Sequence, residues 1–497
     1  MIQLSSSEKF LAFVRSRLFL IVIGLTCELL YILCFVRQFP LLRYYQGLTD
    51  MANITEHSHV GFVLFILPFT LLFAMLAFAW WEVRKLQDRE TLWLILGFGA
   101  LFAATMIFVY PVTAIDIFGY VVQSLVLVQH YANPMVTPAA TYPDDPMMQL
   151  AGGWINLGAP YGPLGILIDA IPTVLVGRNL LANLLLLKAM FSVMYLVEAY
   201  LVYKILSHYA PKLALAGALL IAWNPQGFFE YSANGHNDVA AMLFVLLAIL
   251  ALTKKRHTLA FGLVIASALV KYATLPLLPL FFLYGVVHQP VHLQRLRYAA
   301  QAFGVALLLI VAFYGPFWAG PHTFDTSLDQ ERYFISSFST LVYDMSSGQI
   351  TAEQAKLFGR VLFGLCYLYA LYLTTKGLGG LLRAGFVTLF YFLAFATGKF
   401  EVWYAIWPAL FAVLIPRINE SLATMLFLYG ATLSAAVYAY LWVWGGGTGP
   451  MWDMANSLAY LITFAPALIL LVGLALRRRL VYTPEVEAKN KSSNFLF

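Results

Sequence analysis

From Leu18 to Leu476 the chain alternates long apolar runs with short polar breaks, and no stretch between them reads as a soluble domain. The runs lie near the roughly 20 residues that a ~30 Å hydrocarbon core demands of a helix. Run length and polar breaks predict spans at 18–35, 60–80, 92–112, 180–205, 213–229, 239–252, 259–273, 276–287, 299–318, 357–372, 384–396, 403–415, 422–444 and 458–476. Several are short, so the expected fold is all-α and polytopic, with about 12 to 14 transmembrane helices. Residues 1–480 are expected to form one transmembrane domain, with 481–497 as a solvated cytoplasmic tail. Lys9, Arg15 and Arg17 precede the first run and no small-residue cleavage site follows Phe35, so the first helix is expected to be retained.

Composition agrees: 61% of residues are hydrophobic and only 11% charged, and the mean hydropathy is +0.79. A cytosolic nucleotide-binding domain is excluded. Thirty basic against 24 acidic side chains give a net charge of +6. With both termini cytoplasmic, about 21 of the 30 basic residues lie inside, as the positive-inside rule requires. That balance needs no nucleic-acid partner. It does require the apolar segment 163–176, only about 14 residues long, to lie along the outer interface rather than to cross. The outer face then carries two long connections, 113–179 with its juxtamembrane helices and 319–356. Loops of that length are usually functional.

Asp116 stands at the outer end of the third span in Ile115-Asp116-Ile117-Phe118-Gly119-Tyr120. Apolar flanks should raise its pKa and suit it to act as general base for a hydroxyl. The competing reading is an N-cap for a helix with the apolar spacing Ile117, Tyr120, Val121, Ser124, Leu125, Val128. Asn133-Pro134 reads as a helix stop, and Asn224-Pro225 interrupts the fifth span just before Glu230, Asn234, Gly235, His236, Asn237 and Asp238. Asp238 could cap the sixth span, His236 and Asp238 could hold a metal, or the cluster could bond the hydroxyls of a sugar. Two ligands two residues apart fall short of the three or more a metal site needs, so neither a metal nor another cofactor is expected.

Lys271 interrupts an apolar stretch where a charge costs ~2.5–3.5 kcal/mol. Counting from His257, it lies roughly 21 Å up its helix, in the outer half of the bilayer with Asp116. Pro276 and Pro279 break the backbone after it, which is tolerable only beside a protein-lined cavity. Such an ammonium suits a lipid phosphate; the plainer reading is a snorkelling side chain. Lys399, Trp403, Tyr404 and Trp407 return to the outer surface, where aromatic belts are common. Lys188 and Glu198, ten positions apart on one helix, are expected to have separate partners. Arg332, Lys356 and Arg360 are further outer cations; solvated positions are the simpler reading, with Arg332 kept as a phosphate contact.

The order Asp116-Ile117 with Tyr120, Asn133-Pro134, Tyr161-Gly162-Pro163-Leu164, Gly235-His236-Asn237-Asp238, Lys271-Tyr272 and Trp403-Tyr404 with Trp407-Pro408 resembles the GT-C superfamily of membrane glycosyltransferases. Within it, the order is similar to bacterial lipomannan α-1,6-mannosyltransferases and related family 87 enzymes. The resemblance implies inverting transfer of a hexose, mannose above all, from a polyprenyl-phosphate sugar to an extracytoplasmic glycan or glycolipid at the outer face of the cytoplasmic membrane. Asp116 would then be the base, with Asp144 and Asp145 as substitutes. Lys271, Tyr272, Arg332 and Lys399 would hold the donor phosphate. Tyr120, Asn133, Tyr161, Glu230, His236, Asn237, Asp238, Trp403 and Tyr404 would line the sugar and acceptor pockets. Two other readings are a transporter or lipid flippase, and a polymerase or ligase using an undecaprenyl-diphosphate donor.

Overall fold

The computed structural model describes residues 6–481 apart from 330, 331 and 417. The described residues form helices and short turns, without a sheet. The principal helices are α1 (Ser6–Leu30), α2 (His59–Val83), α3 (Arg89–Met106), α4 (Asp116–Val128), α5 (Pro163–Val176), α6 (Leu180–Tyr209), α7 (Ala214–Ala222) and α8 (Asp238–Thr253). They continue as α9 (His257–Val270), α10 (Leu277–Val287), α11 (His292–Tyr314), α12 (Phe338–Met345), α13 (Ala352–Thr374), α14 (Leu378–Tyr391), α15 (Ile406–Leu414), α16 (Ile418–Ala436) and α17 (Gly449–Val481).

Local sequence sets many of the starts. The side chains of Ser58, Asp88 and Asn179 accept from the backbone N–H groups of Gly61, Thr91 and Ala182, ahead of α2, α3 and α6. Thr351 and Gln354 form a reciprocal capping box at α13. Pro163 opens α5, and Gly177, at φ 58°, closes it.

Eight helical segments among the described residues are long and apolar enough to cross a membrane, and seven more are apolar but shorter. This is a multi-pass membrane protein. The expected spans at 213–229, 239–252, 259–273, 276–287 and 403–415 fall among the short helices. α10, with 11 residues, is about 16 Å long and cannot cross alone. The third expected span, 92–112, stops being helical at Met106. Where α3 ends, a side chain of α6 bonds a carbonyl that the helix has freed. Lys188 Nζ donates to Val109 O below the end of α3, and Trp223 Nε1 donates to Ile95 O at 3.0 Å. Glu198, ten residues from Lys188, makes no hydrogen bond through either carboxyl oxygen.

α7, α8 and α15 sit in the middle of the bundle, where nearly every side chain is buried. A cluster of rings including Tyr31, Phe35, Phe69, Phe102, Phe228 and Phe229 packs edge to face around them. α11 and α13 turn apolar faces outward, with Phe303 70% and Leu365 62% exposed, as lipid contact requires. The tail at 482–497 lies outside the described residues.

Candidate active site

One cavity of about 560 Å³ gathers side chains from α4, the turn before α5, the break after α9, α13, and the segment leading into α15. Asp116 is the first residue of α4, but it makes no cap: Ile115 holds the cap position, without a side-chain bond. The Asp116 carboxylate faces the cavity, 21% exposed. Burial raises its pKa to about 6; Lys399 and Lys271 oppose that rise, while Glu401 and Asp238 add to it. Among the described residues lining the cavity, Asp116 is the one carboxylate.

Lys271 lies just past α9, where its extended backbone (φ −145°, ψ 123°) ends the helix. Its Nζ donates to Asp238 Oδ2 at 2.6 Å. Three rings surround the ammonium, Tyr404 at 5.3 Å, Tyr161 at 5.6 Å and Trp407 at 5.7 Å. Asp238 is fully buried, and its other oxygen accepts from Trp407 Nε1 at 2.8 Å. Lys271 therefore does not snorkel, and Asp238 is not the side-chain cap of α8. Asp238 anchors the lysine across 33 residues of chain.

Two glycines permit these approaches. At Gly162 a Cβ would stand 2.1 Å from Leu269 O, and its N–H donates to Val270 O at 3.1 Å, which brings Tyr161 beside Lys271. Gly235, left-handed at φ 75°, lies so close to Ile117 that a Cβ would meet its side chain at 2.4 Å. That contact sets His236 against the first turn of α4. His236 Nδ1 is 3.7 Å from Asp116 Oδ2 and Nε2 is 3.3 Å from Glu230 Oε2.

Tyr120, Tyr161, Tyr272, Lys399, Trp403 and Tyr404 line the cavity with Asp116 and Lys271. Lys399 is paired with Glu401 at 2.6 Å. Glu230, His236, Asn237 and Asp238 are fully or almost fully buried and lie behind the wall rather than on it. Asn237 Nδ2 donates to Asp169 Oδ2 at 2.9 Å.

Two expected contacts lie elsewhere. Arg332 is 83% exposed, pairs with Asp329 at 3.1 Å and does not line the cavity. Asn133 Nδ2 donates to Phe317 O at 2.6 Å and its Oδ1 accepts from Met135 N, so it ties a loop rather than facing the cavity. Asp145, a substitute for Asp116 as base, is held by Arg178 and by His130 at 3.1 Å in a separate surface pocket that also holds Asp144. The Arg178 guanidinium keeps the Asp145 carboxyl down at about 2, against the effect of burial.

Lys356 and Arg360, read from sequence as solvated, line the cavity from α13 together with Phe363. Their spacing of i, i+4, i+7 is one helical stripe, a signal the sequence carried. Asp169 was missed; a carboxylate inside the apolar run 163–176 was its signal. Among the described residues, no three His, Cys, Asp or Glu side chains converge as a metal site requires.

The family model described as alpha-(1->6)-mannopyranosyltransferase, N-terminal domain, matches residues 22–287, more than half of the chain. The chain belongs to this family. The matched region holds Asp116, Tyr161, the 230–238 turn and Lys271, and ends with α10. Alpha-(1->6)-mannopyranosyltransferase A of Corynebacterium glutamicum is 25% identical over 183 residues, 37% of this chain. The match spans 37% of that relative's own length. α13 and the Lys399–Trp407 segment, which close the far side of the cavity, lie beyond the family match.

Proposed function

We propose that this protein is a membrane glycosyltransferase that moves a mannosyl residue from a polyprenyl-phosphate sugar to a hydroxyl of an extracytoplasmic glycan or glycolipid. The observation that carries the reading is the meeting of Asp116 and Lys271, 155 positions apart in sequence, on one cavity inside a bundle of apolar helices. Asp116 takes the acceptor's hydroxyl proton as that oxygen attacks the anomeric carbon. The bond from the anomeric carbon to the phosphate oxygen breaks, and its electron pair leaves with the phosphate. Asp116, the one carboxylate lining the cavity among the described residues, suits this single displacement, which inverts the anomeric centre.

Lys271, held by Asp238, and the rings of Tyr161, Tyr404 and Trp407 suit the sugar and its departing charge. Lys356 and Arg360 followed by Phe363 run from charge to apolar surface along α13, whose outward face meets lipid. That gradient matches an anionic head on a lipid tail. The termini are assigned to the cytoplasm by the excess of Lys and Arg in the connections on that side.

The test is transfer by the purified full-length protein from radiolabelled polyprenyl-phosphate mannose to an alkyl mannoside, with and without chelator. Asp116→Asn should abolish transfer while inserting normally, and Lys356→Ala with Arg360→Ala should raise KM for the donor alone. Movement of intact donor across the bilayer without transfer would replace this reading with a transporter.

A further inference from the structure

Behind the cavity wall lies a polar cluster that takes no part in the transfer step itself. His236 is fully buried, and its ring lies flat against Trp403 at 3.8 Å and 17°. One nitrogen faces Asp116 at 3.7 Å and the other Glu230 at 3.3 Å, and neither makes a hydrogen bond among the described residues, so a buried imidazole stands unpartnered between two carboxyl groups. Glu230 is 2% exposed. Its Oε2 also accepts from Asn234 Nδ2 at 2.9 Å, and that amide donates to Thr113 Oγ1 at 2.6 Å. A neutral imidazole has one N–H and one lone pair, so it can serve two carboxyl groups at once only if one of them is in its acid form.

We propose that Glu230 and His236 form a positioning pair for Asp116: protonated Glu230 donates to His236 Nε2, and so fixes the tautomer whose Nδ1–H points at Asp116 Oδ2. The proposal rests on the reading of Asp116 as base. The environment selects which carboxyl keeps its proton. Burial raises Glu230 to about 8, opposed by the Asn234 hydrogen bond and reinforced by Asp238, Glu401 and Asp116. Asp116, whose rise by burial the charges of Lys399 and Lys271 oppose, reaches only about 6. Burial, aided by Lys271, pushes His236 well below its usual range and keeps it neutral. The charged groups around the pair are Asp116 at the start of α4, Asp238 at the start of α8, Lys271 after α9, and Lys399 with Glu401 before α15.

The pair steadies the anion of Asp116 through Oδ2 and leaves Oδ1 to the acceptor hydroxyl. At 3.7 Å the two atoms are beyond hydrogen-bond distance, and the pair acts only if the gap closes when substrate is in place. Ionising Glu230 reverses the tautomer: the ring then donates to Glu230 and turns a lone pair toward Asp116. Asp116 loses its orienting donor, so transfer falls as pH rises past the Glu230 value.

The full-length protein in lipid nanodiscs is assayed with polyprenyl-phosphate mannose and an alkyl mannoside from pH 5 to 9.5, a range in which a sugar phosphodiester does not titrate. Wild-type kcat should fall above about pH 8. Glu230→Gln, whose amide can still donate to Nε2, should keep the rate at pH 7 within about threefold and lose the alkaline fall. His236→Ala should lower kcat about 10- to 100-fold with KM unchanged, as loss of an orienting partner does at metal sites. A wild-type profile flat to pH 9.5, or an alkaline fall that persists in Glu230→Gln, overturns the pair. If the variants do not fold, the wild-type profile alone decides. An Asp116→Asn variant that transfers at the wild-type rate removes the base reading itself, whatever the Glu230 variants do.

Discussion

Replacing Lys271 by Met tests whether the buried ion pair supports the site or merely fills it. In the folded protein the Nζ to Oδ2 distance is 2.6 Å. At an effective dielectric constant of about 20, that separation corresponds to an attraction of about 6 kcal/mol, most of it offset by desolvation. Removing the lysine leaves Asp238, fully buried, with the Trp407 N–H as its remaining hydrogen bond. Stranding one member of a buried pair typically costs about 3–5 kcal/mol. Lys271→Met alone should therefore be markedly destabilised. Lys271→Met with Asp238→Asn strands no charge and should recover most of the loss, a coupling of about 2 kcal/mol or more between neighbours. Transfer should not recover, because the Lys271 ammonium is missing from its place among Tyr161, Tyr404 and Trp407; a deficit of about 10² to 10³ in kcat is expected for a lost charge-stabilising donor. Stability is read from the temperature at which detergent-solubilised protein loses its monodisperse elution peak, and activity from initial transfer rates. A single variant as stable as wild type would refute the energetic argument, and a double variant with wild-type transfer would remove Lys271 from the reaction.

Three further outcomes follow from the geometry. Because Asp116 must be ionised to act as base and its pKa is raised to about 6, the acid limb of the rate profile should fall about tenfold per unit below that value, with full rates between it and the alkaline fall near pH 8. Arg178→Ala should cost roughly 1–2 kcal/mol, less than a wholly buried pair because the arginine is 45% exposed, and should leave kcat for transfer unchanged. Since the Asp145 carboxyl is depressed to about 2, that contribution is present above the unfolded value of about 3.9 and is lost as pH falls toward 2, so wild type and variant should converge in acid-unfolding curves. Gly162→Ala places a methyl group 2.1 Å from the Leu269 carbonyl oxygen, a backbone atom that cannot step aside; it should lower both thermal stability and transfer, and variants at open positions such as Gly364 should not.

How the site was assembled could not be read from the chain in the way its parts could. Apolar run length fixed the class, an all-α membrane protein, because every backbone group in lipid must be bonded within a helix. The helix at 163–176 has the expected bounds because Pro163 and Gly177 punctuate it locally. Asp116, Lys271, Tyr161 and Trp403 stood out because charged, aromatic and helix-breaking residues cluster at the ends of apolar runs. The same signal does not say what a polar group in an apolar run faces. Lys188 plugs a backbone carbonyl while Lys271 reaches a cavity, and the two look alike in sequence. Arg332 and Arg360 were both outer cations, yet one stands in solvent and the other on the cavity wall. Periodicity relates residues on one helix face; it does not state which face of another helix, hundreds of residues away, will meet it. Packing of α4, α8, α9, α13 and α15 decided that, and with it which carboxylate faces the cavity, which holds the lysine and which is buried behind them.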